Sequence, residues 1–353
     1  MNKNPSIKIG NLKIGSDYKP VVIAEIGINH SGSLKIAKKM ALSAIKNGAQ
    51  IIKHQTHIVE DEMSETAKNI IPDNATESIY SLMERCALSE RDEIELKKFV
   101  EKNNAIFIST PFSRAAALRL NKMNVPAFKI GSGECNHLPL IELIASFGKP
   151  MIVSTGMNNI KNIKMTVKIL EKYKVKYALL HCTNVYPTPP EIVRLDCITQ
   201  MKKIFKNAVI GYSDHTINNY ACISAMALGA SIIERHFTDT KKRSGPDIIN
   251  SMNPNELTEL SSAAREIYLM KKNNNKGLVF EEKNVKEFAF ATLVAIKHIK
   301  KGERLTLANI WAKRPGVGKI SASEMNKVIG GVAIKEMKID HHINYSDIKL
   351  KIK

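Results

Sequence analysis

Short apolar runs recur along the chain, and longer segments with apolar residues at helical spacing lie between them. The first run is VVIAEIG at 21–27, and the segment at 33–48 that follows it ends in Gly48, a common helix stop. Apolar runs without strict alternation are typical of parallel strands that are covered on both faces. The pattern predicts strands at residues 21–27, 49–55, 105–110, 127–131, 150–155, 177–182, 208–213 and 231–237.

Strand–helix units repeated in this way predict an α/β fold, a (β/α)8 TIM barrel. An open doubly wound sheet is the alternative, but no GxGxxG turn follows the first predicted strand. The connection at 56–88 is unusually long. We expect it to lie over the barrel mouth, because long loops in compact domains are usually functional or mobile.

The chain is longer than one barrel requires, and its composition changes after the last predicted unit. The segment KKNNNKGLVFEEKN at 271–284 is polar and predicts a linker. We therefore expect a barrel domain over residues 1–270 and a small second domain over 285–353, with short strand-like pieces and turn residues.

Composition narrows the class of protein. The 53 Lys and Arg residues against 34 Asp and Glu give a formal net charge of +19, which would favour encounter with an anionic substrate. No nucleic-acid motif accompanies this charge, so we expect no nucleic-acid partner. No signal peptide or long apolar run is present, and the five cysteines are scattered without a CxxC pair. We therefore expect a cytoplasmic protein with no membrane partner.

Polar residues follow the predicted strands, at the end of the barrel where α/β-barrel chemistry takes place. Lys53 and Lys129 lie inside apolar strands, where an unpaired ammonium group is costly. We interpret them as a clamp for a phosphate or carboxylate group, supported by the hydroxyls of Ser132, Ser154 and Ser213. The alternatives are a lysine paired with a buried acid and a Schiff-base lysine of an aldolase.

His215 and His236 follow neighbouring predicted strands. With Glu25 across the closed barrel they could hold a divalent metal in an open site, of the kind that polarises a substrate carbonyl. They could equally be unrelated histidines bonded to nearby acids. Glu25 itself could be a general acid or base, bind a metal through water, or pair with Lys53 or Lys129. We interpret the remaining central histidines as hydrogen-bonded loop or core residues: His30, His54, His57, His137 and His181.

Several segments match the motifs of one enzyme family along essentially the whole chain. They are IAEIGINHSGS at 23–33, IKHQTHIVEDEMS at 52–64, ISTPFSRAAALRL at 108–120, FKIGSGECN at 128–136, IVSTGM at 152–157, LLHCTNVYPTP at 179–189, GYSDHT at 211–216, ERHFTD at 234–239 and KRPGVG at 313–318. These segments resemble the bacterial N-acetylneuraminate (sialic acid) synthases. The related legionaminate and pseudaminate synthases share much of the pattern.

The resemblance implies a transferase that forms a C–C bond between phosphoenolpyruvate and N-acetylmannosamine, adds water, and releases phosphate by C–O cleavage to give sialic acid. A legionaminate synthase acting on 2,4-diacetamido-2,4,6-trideoxymannose is the near alternative. A Schiff-base pyruvate aldolase is the distant one.

The resemblance also implies roles for individual residues. A divalent metal, manganese with magnesium or cobalt as alternatives, would bind His215 and His236, and Glu25 would be the catalytic acid or base. Phosphoenolpyruvate would be bound by Lys53, Thr110, Lys129, Ser132, Ser154, Asn184 and Ser213. The acyclic sugar would be bound by Gln55, Glu134, Tyr186, Asp247 and Arg314. Residues 285–353 would form an antifreeze-like (SAF) domain that reaches the barrel of a partner chain in a domain-swapped homodimer.

Overall fold

In the computed structural model, which describes residues 4–72, 75–273 and 275–350, eight parallel strands close into a barrel. A hairpin of β1 (Ser6–Ile9) and β2 (Leu12–Gly15), which the sequence analysis did not predict, precedes them. The barrel strands are β3 (Val21–Gly27), β4 (Ile51–Thr56), β5 (Ile106–Pro111), β6 (Phe128–Ile130), β7 (Met151–Ser154), β8 (Tyr177–Cys182), β9 (Val209–Asp214) and β10 (Ile232–His236). Strand β10 pairs with β3 and closes the ring, so the predicted (β/α)8 fold is confirmed.

Helices surround the barrel and follow the strands in the order that the sequence predicts. They are α1 (Leu34–Lys46), α2 (Val59–Glu62), α3 (Ile79–Cys86), α4 (Glu90–Lys102), α5 (Arg114–Lys122), α6 (Leu138–Ser146), α7 (Ile160–Lys172), α8 (Asp196–Ile204), α9 (Tyr220–Ala227) and α10 (Pro254–Met270). Helix α4 begins as its sequence predicts, because the Ser89 side chain accepts a hydrogen bond from the backbone N–H of Asp92. Among the described residues, no helix is both long and apolar enough to cross a membrane.

The barrel strands bury apolar side chains on both faces, which explains their unbroken apolar runs. On β3, Val22 and Ala24 point outward and pack with the helices, whereas Val21 and Ile23 point into the barrel. The inner cluster also contains Ile9 of the hairpin, so β1 and β2 pack against the bottom of the barrel core. This alternation places the next inward residue of β3, Glu25, above an apolar floor.

The long connection between β4 and β5 contains α2, a 3-10 turn at Glu65–Asn69 and α3. Leu82 and Cys86 of α3 pack on Ile28, which follows β3 at its carboxyl end. The described part of this connection therefore lies at the end of the barrel that carries the candidate site.

The chain divides into two units, residues 1–273 and 274–353. In the second unit a 3-10 turn at Phe280–Glu282 leads into α11 (Lys283–Ala289), so the end of the predicted linker is ordered. Strand β11 (Thr292–Ala295) pairs antiparallel with β12 (Ile310–Lys313), and β13 (Val332–Ala333) pairs with β14 (Ile348–Lys349) after α12 (Met325–Val328). Leu293, Ile310 and Met337 belong to its separate apolar core.

Candidate active site

Charged and hydroxyl side chains form the layer above the apolar floor of the barrel. They occupy inward positions near the carboxyl ends of successive strands: Glu25, Lys53, Thr110, Lys129, Ser154, Cys182, Ser213 and Glu234. All of them are buried. A layer of this composition inside a barrel must be paired internally, because isolated buried charges are strongly disfavoured.

The lysines of this layer are paired with carboxylates. Lys53 forms an ion pair with Oε2 of Glu25, and its Nζ lies 3.8 Å from Oε1 of Glu234. The Nζ of Lys129 donates a 2.8 Å hydrogen bond to Oγ of Ser154 and lies 3.5 Å from the same Glu234 oxygen. Glu234 therefore lies between the two ammonium groups, whereas Glu25 pairs with one.

The unequal pairing separates the protonation behaviour of the two carboxyl groups. Burial raises the pKa of Glu25, and its ion pair with Lys53 offsets this only in part. Burial also disfavours the Glu234 carboxylate, but Lys129 and Lys53 outweigh it and lower its pKa. Groups whose environments move their pKa values apart are candidates for distinct acid–base roles. Glu25 is thus suited to exchange a proton, and Glu234 is suited to remain a fixed negative charge.

The two lysines also differ. Burial disfavours the Lys53 ammonium, but Glu234 and Glu25 raise its pKa overall. Burial lowers the pKa of Lys129, and Glu234 compensates only in part. Lys53 is therefore a firmly charged group. Because the pKa of Lys129 is lowered, an incoming anion would further stabilise the charged form of this lysine.

A cavity of about 200 Å³ opens above this layer. It brings together most residues that the sequence analysis proposed for phosphoenolpyruvate, sugar and metal: Lys53, Gln55, Thr110, Lys129, Ser132, Glu134, Ser154, Asn184, Tyr186, Ser213, His215 and His236. Glu25 joins them through a 3.0 Å hydrogen bond from Nε2 of Gln55, and Oδ2 of Asp247 lies 3.7 Å from Nδ1 of His236. Arg314 is exposed in the second unit.

Two glycines allow the polar groups to approach the backbone. Gly27 has a φ of +43°, and a Cβ there would lie 2.7 Å from Oε1 of Glu25. A Cβ on Gly156 would lie 1.8 Å from Oδ1 of Asn184 and 2.8 Å from Oγ of Ser132. The backbone N–H of Gly156 donates a 3.0 Å hydrogen bond to that Ser132 hydroxyl. Side chains at these positions would displace the groups that line the cavity.

His215 and His236 face each other with ring centroids 5.6 Å apart. Nδ1 of His215 donates to the Thr183 carbonyl at 2.8 Å, which fixes the ring and leaves Nε2 as a possible ligand. Burial, followed by His215 and Lys53, holds the pKa of His236 well below its usual range. Its Nδ1 has no hydrogen-bond partner among the described residues, so His236 offers a neutral, unpaired nitrogen.

The donor set fits a metal site with open positions. Within the described residues, no group of three or more His, Cys, Asp or Glu side chains is arranged to hold a metal ion. The two imidazoles would therefore need water or substrate to complete the coordination. Burial disfavours the His215 cation, but the neighbouring Cys182 side chain raises the pKa of His215 to about 9, so an ion would displace a proton there.

Glu234 and Cys182 also line the cavity, and neither is among the site residues predicted from the sequence. The missed signal is alternation within the strands. In β10, Glu234 is two residues before His236, and in β8, Cys182 is two residues after Leu180, which points into the barrel, so each pair shares a face. Counting inward positions along the two strands would have found both.

The closed parallel barrel, with a buried charged layer and a polar cavity at the carboxyl ends of its strands, has the architecture of the (β/α)8-barrel enzymes. The SAF domain model matches residues 290–349, which confirms the predicted antifreeze-like domain. The NeuB family model matches residues 40–276, and the chain belongs to the NeuB family.

Similar proteins include sugar-acid synthases. The N,N'-diacetyllegionaminic acid synthase of Campylobacter jejuni is 38% identical, over 92% of this chain and 99% of that protein. An uncharacterized protein of Methanocaldococcus jannaschii is 42% identical, over 88% of this chain and 90% of that protein. The crystal structure of N-acetylneuraminic acid (sialic acid) synthetase from Leptospira borgpetersenii, in complex with citrate, matches with a TM-score of 0.74 and 29% identity, over 80% of this chain and 95% of that chain. The predicted resemblance is confirmed.

Proposed function

We propose that this protein is a sugar-acid synthase that condenses phosphoenolpyruvate with the aldehyde form of a 2-acetamido sugar and releases phosphate. The observation that carries the proposal is the buried layer in which Lys53 and Lys129 face Glu25 and Glu234 beneath a polar cavity. This layer combines a cationic clamp with a carboxyl group that can exchange a proton.

The lysines and hydroxyls account for binding of the anionic substrate. Ser154 and Thr110 accept hydrogen bonds from Lys129 and Lys53, at 2.8 and 3.3 Å, and so direct the two ammonium groups toward the cavity. Ser132 and Asn184 meet at Gly156 on the cavity wall. We infer that these groups bind the carboxylate and phosphate of phosphoenolpyruvate, and that Ser213 assists through its 3.3 Å hydrogen bond to Glu234.

Glu25 has the protonation behaviour that the reaction requires. When C3 of phosphoenolpyruvate attacks the aldehyde carbon, the aldehyde oxygen must gain a proton, and the water that adds at C2 must lose one. A carboxyl group with a raised pKa can accept the second proton and donate the first. Gln55 and Lys53 hold its two oxygens in place. We therefore infer that Glu25 transfers protons between these two positions.

We infer that His215 and His236 hold a divalent metal ion, with manganese the first candidate and magnesium or cobalt the alternatives. When bound, such an ion would polarise the aldehyde oxygen of the sugar. The protein orients the site: the Thr183 carbonyl fixes His215, and Tyr186 packs against it with ring centroids 4.0 Å apart. Burial raises the pKa of Asp247 to about 6, so this carboxyl beside His236 can hold a proton near neutral pH.

The acetamido sugar would bind at the outer end of the cavity, against Gln55, Glu134, Tyr186 and Asp247. N-acetylmannosamine is the first candidate, supported by the similarity to the Leptospira borgpetersenii synthetase. The second candidate is 2,4-diacetamido-2,4,6-trideoxymannose, favoured by the higher identity to the Campylobacter jejuni synthase, 38% against 29%. A pocket that binds a hydroxyl or amide can discriminate strongly between two such sugars.

The test is phosphate release from phosphoenolpyruvate with manganese present, with each sugar in turn, with and without EDTA. We expect release that depends on a sugar and stops with the chelator, and the faster sugar identifies the substrate. Release that resists EDTA would contradict the metal assignment to His215 and His236. No release with either sugar, together with borohydride trapping of pyruvate on Lys129, would replace the synthase by the Schiff-base aldolase.

We further propose that Arg314 of the SAF domain binds sugar in the barrel of a partner chain, within a cytoplasmic, domain-swapped homodimer. The test is to mix chains carrying Arg314→Ala with chains carrying Glu25→Gln. If each barrel uses the arginine of the other chain, mixed dimers contain one site with both residues intact, and part of the activity returns. If the mixed chains exchange subunits but remain inactive, the proposal of a domain-swapped dimer is wrong.

A further inference from the structure

A chain of hydrogen bonds extends outward from Glu25 to a histidine that the reaction does not use. Nε2 of Gln55 donates to Oε1 of Glu25 at 3.0 Å, and Oε1 of Gln55 faces Nε2 of His57 at 3.1 Å. Nδ1 of His57 lies 2.8 Å from Oε2 of Glu62 in α2. The His57 side chain is 2% exposed and that of Glu62 is 8% exposed. The sequence alone predicts only a hydrogen-bonded loop or core histidine at this position.

The orientation of the Gln55 amide determines which ring nitrogens of His57 donate. A carboxylate oxygen and an amide oxygen only accept hydrogen bonds, so in this orientation His57 can make both bonds only as the doubly protonated imidazolium. Its ring also stacks on Phe112, with centroids 4.5 Å apart and planes 15° apart, and an aromatic face attracts a cation. Glu62 supplies the negative charge that a buried cation requires.

The side chains of Glu25, Gln55 and His57 can also be arranged in a second way that contains the same number of protons. If the Gln55 amide turned over, neutral His57 would accept from its NH2 group, and the amide oxygen would face Oε1 of Glu25. That contact is a hydrogen bond only when Glu25 carries the proton. The orientation of one amide therefore decides whether Gln55 presents its NH2 group or its oxygen to Glu25 and to the cavity.

We propose that His57, as an imidazolium held by Glu62, is a positioning residue that fixes the Gln55 amide for sugar binding and for contact with Glu25. This role rests on the proposed function, because Gln55 is assigned there to the sugar. His57 does not line the cavity, and its effect passes through Gln55. Phosphoenolpyruvate binding, which we assign to Lys53, Lys129 and their hydroxyl neighbours, should therefore not depend on it.

The kinetic test separates the two substrates. His57→Phe keeps a ring against Phe112 but removes both donors, and we expect the KM for the sugar to rise about tenfold, the effect of losing a hydrogen bond to a charged group. The KM for phosphoenolpyruvate should stay unchanged. His57→Gln, whose NH2 group can replace Nε2, should recover part of the loss. Equal changes in both KM values, or none in either, would overturn the proposal.

His181→Phe is the matched control for the loss of a buried histidine. Nε2 of His181 donates to the Val193 carbonyl at 2.7 Å, and the residue lies on the outer side of β8. We expect this variant to lose thermal stability while both KM values stay at the wild-type level. A shift of the sugar KM in His181→Phe as well would show that the assay reports general destabilisation and would overturn the assignment to His57.

The charge of His57 can be measured without turnover. In protein labelled with 15N-histidine, the signals that disappear in His57→Phe should show a proton on both ring nitrogens at pH 7. A neutral ring would overturn the proposal even if the enzyme is active. If wild-type protein releases no phosphate with either sugar, the proposed function fails, and the 15N signals still decide whether His57 is the cation that orients Gln55.

Discussion

Gly156→Ala tests whether the cavity wall binds phosphoenolpyruvate. The added Cβ would lie 1.8 Å from Oδ1 of Asn184, and a carbon–oxygen contact requires about 3.3 Å. Asn184 would therefore have to retract by about 1.5 Å, and a misplacement of about 1 Å can cost a hundredfold in rate. We expect kcat/KM for phosphoenolpyruvate to fall about a hundredfold, which is about 2.7 kcal/mol of transition-state stabilisation.

The assay is phosphate release at varied phosphoenolpyruvate and saturating sugar, with thermal unfolding measured to confirm that the variant is folded. Asn184→Ala provides the control, because the severe clash is absent in that background and only the 2.8 Å contact with Oγ of Ser132 remains. The double variant should then lose far less than a hundredfold relative to Asn184→Ala alone. Activity of Gly156→Ala within about threefold of wild type, or effects that multiply in the double variant, would refute the reasoning.

Three further predictions concern the buried carboxyl groups. Glu25→Gln should still bind phosphoenolpyruvate in calorimetry but lose turnover by about a hundredfold or more, and near-normal turnover would contradict its acid–base role. Glu234→Gln should lower the unfolding free energy by about 3 kcal/mol, because Lys129 loses its buried counter-charge, and adding Lys129→Met should restore part of it in urea unfolding. Glu93 is a buried residue of α4, and burial raises its pKa from 4.5 to about 7. The folded state therefore binds this proton more tightly than the unfolded state does. The free energy of unfolding should fall by about 3 kcal/mol as the pH rises from 4.5 to 7. Glu93→Gln should lack this loss, and parallel pH profiles for variant and wild type would contradict it.

The barrel was predictable because its hydrophobic pattern is strong and local. Each strand carries an apolar run that buries both faces, and runs of that kind are readable without knowledge of tertiary contacts. The hairpin of β1 and β2 was missed because its two strands have four residues each, and Lys8 and Lys13 interrupt the apolar pattern. Its inward residues, such as Ile9 and Ile14, show their role only once the barrel core exists to receive them.

The candidate site was predictable to the extent that it follows strand ends. Lys53 and Lys129 were conspicuous because ammonium groups are rare inside apolar strands. Glu234 is equally buried, but it lies next to Arg235 near the end of its strand. In the sequence, two consecutive charged residues at a strand end indicate side chains that are exposed to solvent. Arg235 is itself buried, with its Nε 3.3 Å from Oδ2 of Asp214 on the outer side of β9. Two adjacent charges buried on opposite faces of one strand cannot be distinguished from an exposed pair by composition alone.

Closure of the barrel gives the two carboxyl groups their different roles. Strand β10 pairs with β3 on one side and with β9 on the other, and this brings Glu234 between Lys53 and Lys129, residues far from it in sequence. Glu234 is thereby held as an anion, and its charge is one of the causes that raise the pKa of Glu25. Burial is the main cause that raises the pKa of Glu25, and the neighbouring carboxylate, which shares the charge of both lysines, raises it further. Glu234 therefore contributes to the protonation of the residue that we propose as the acid or base, and its effect depends on a contact between the two ends of the barrel sequence.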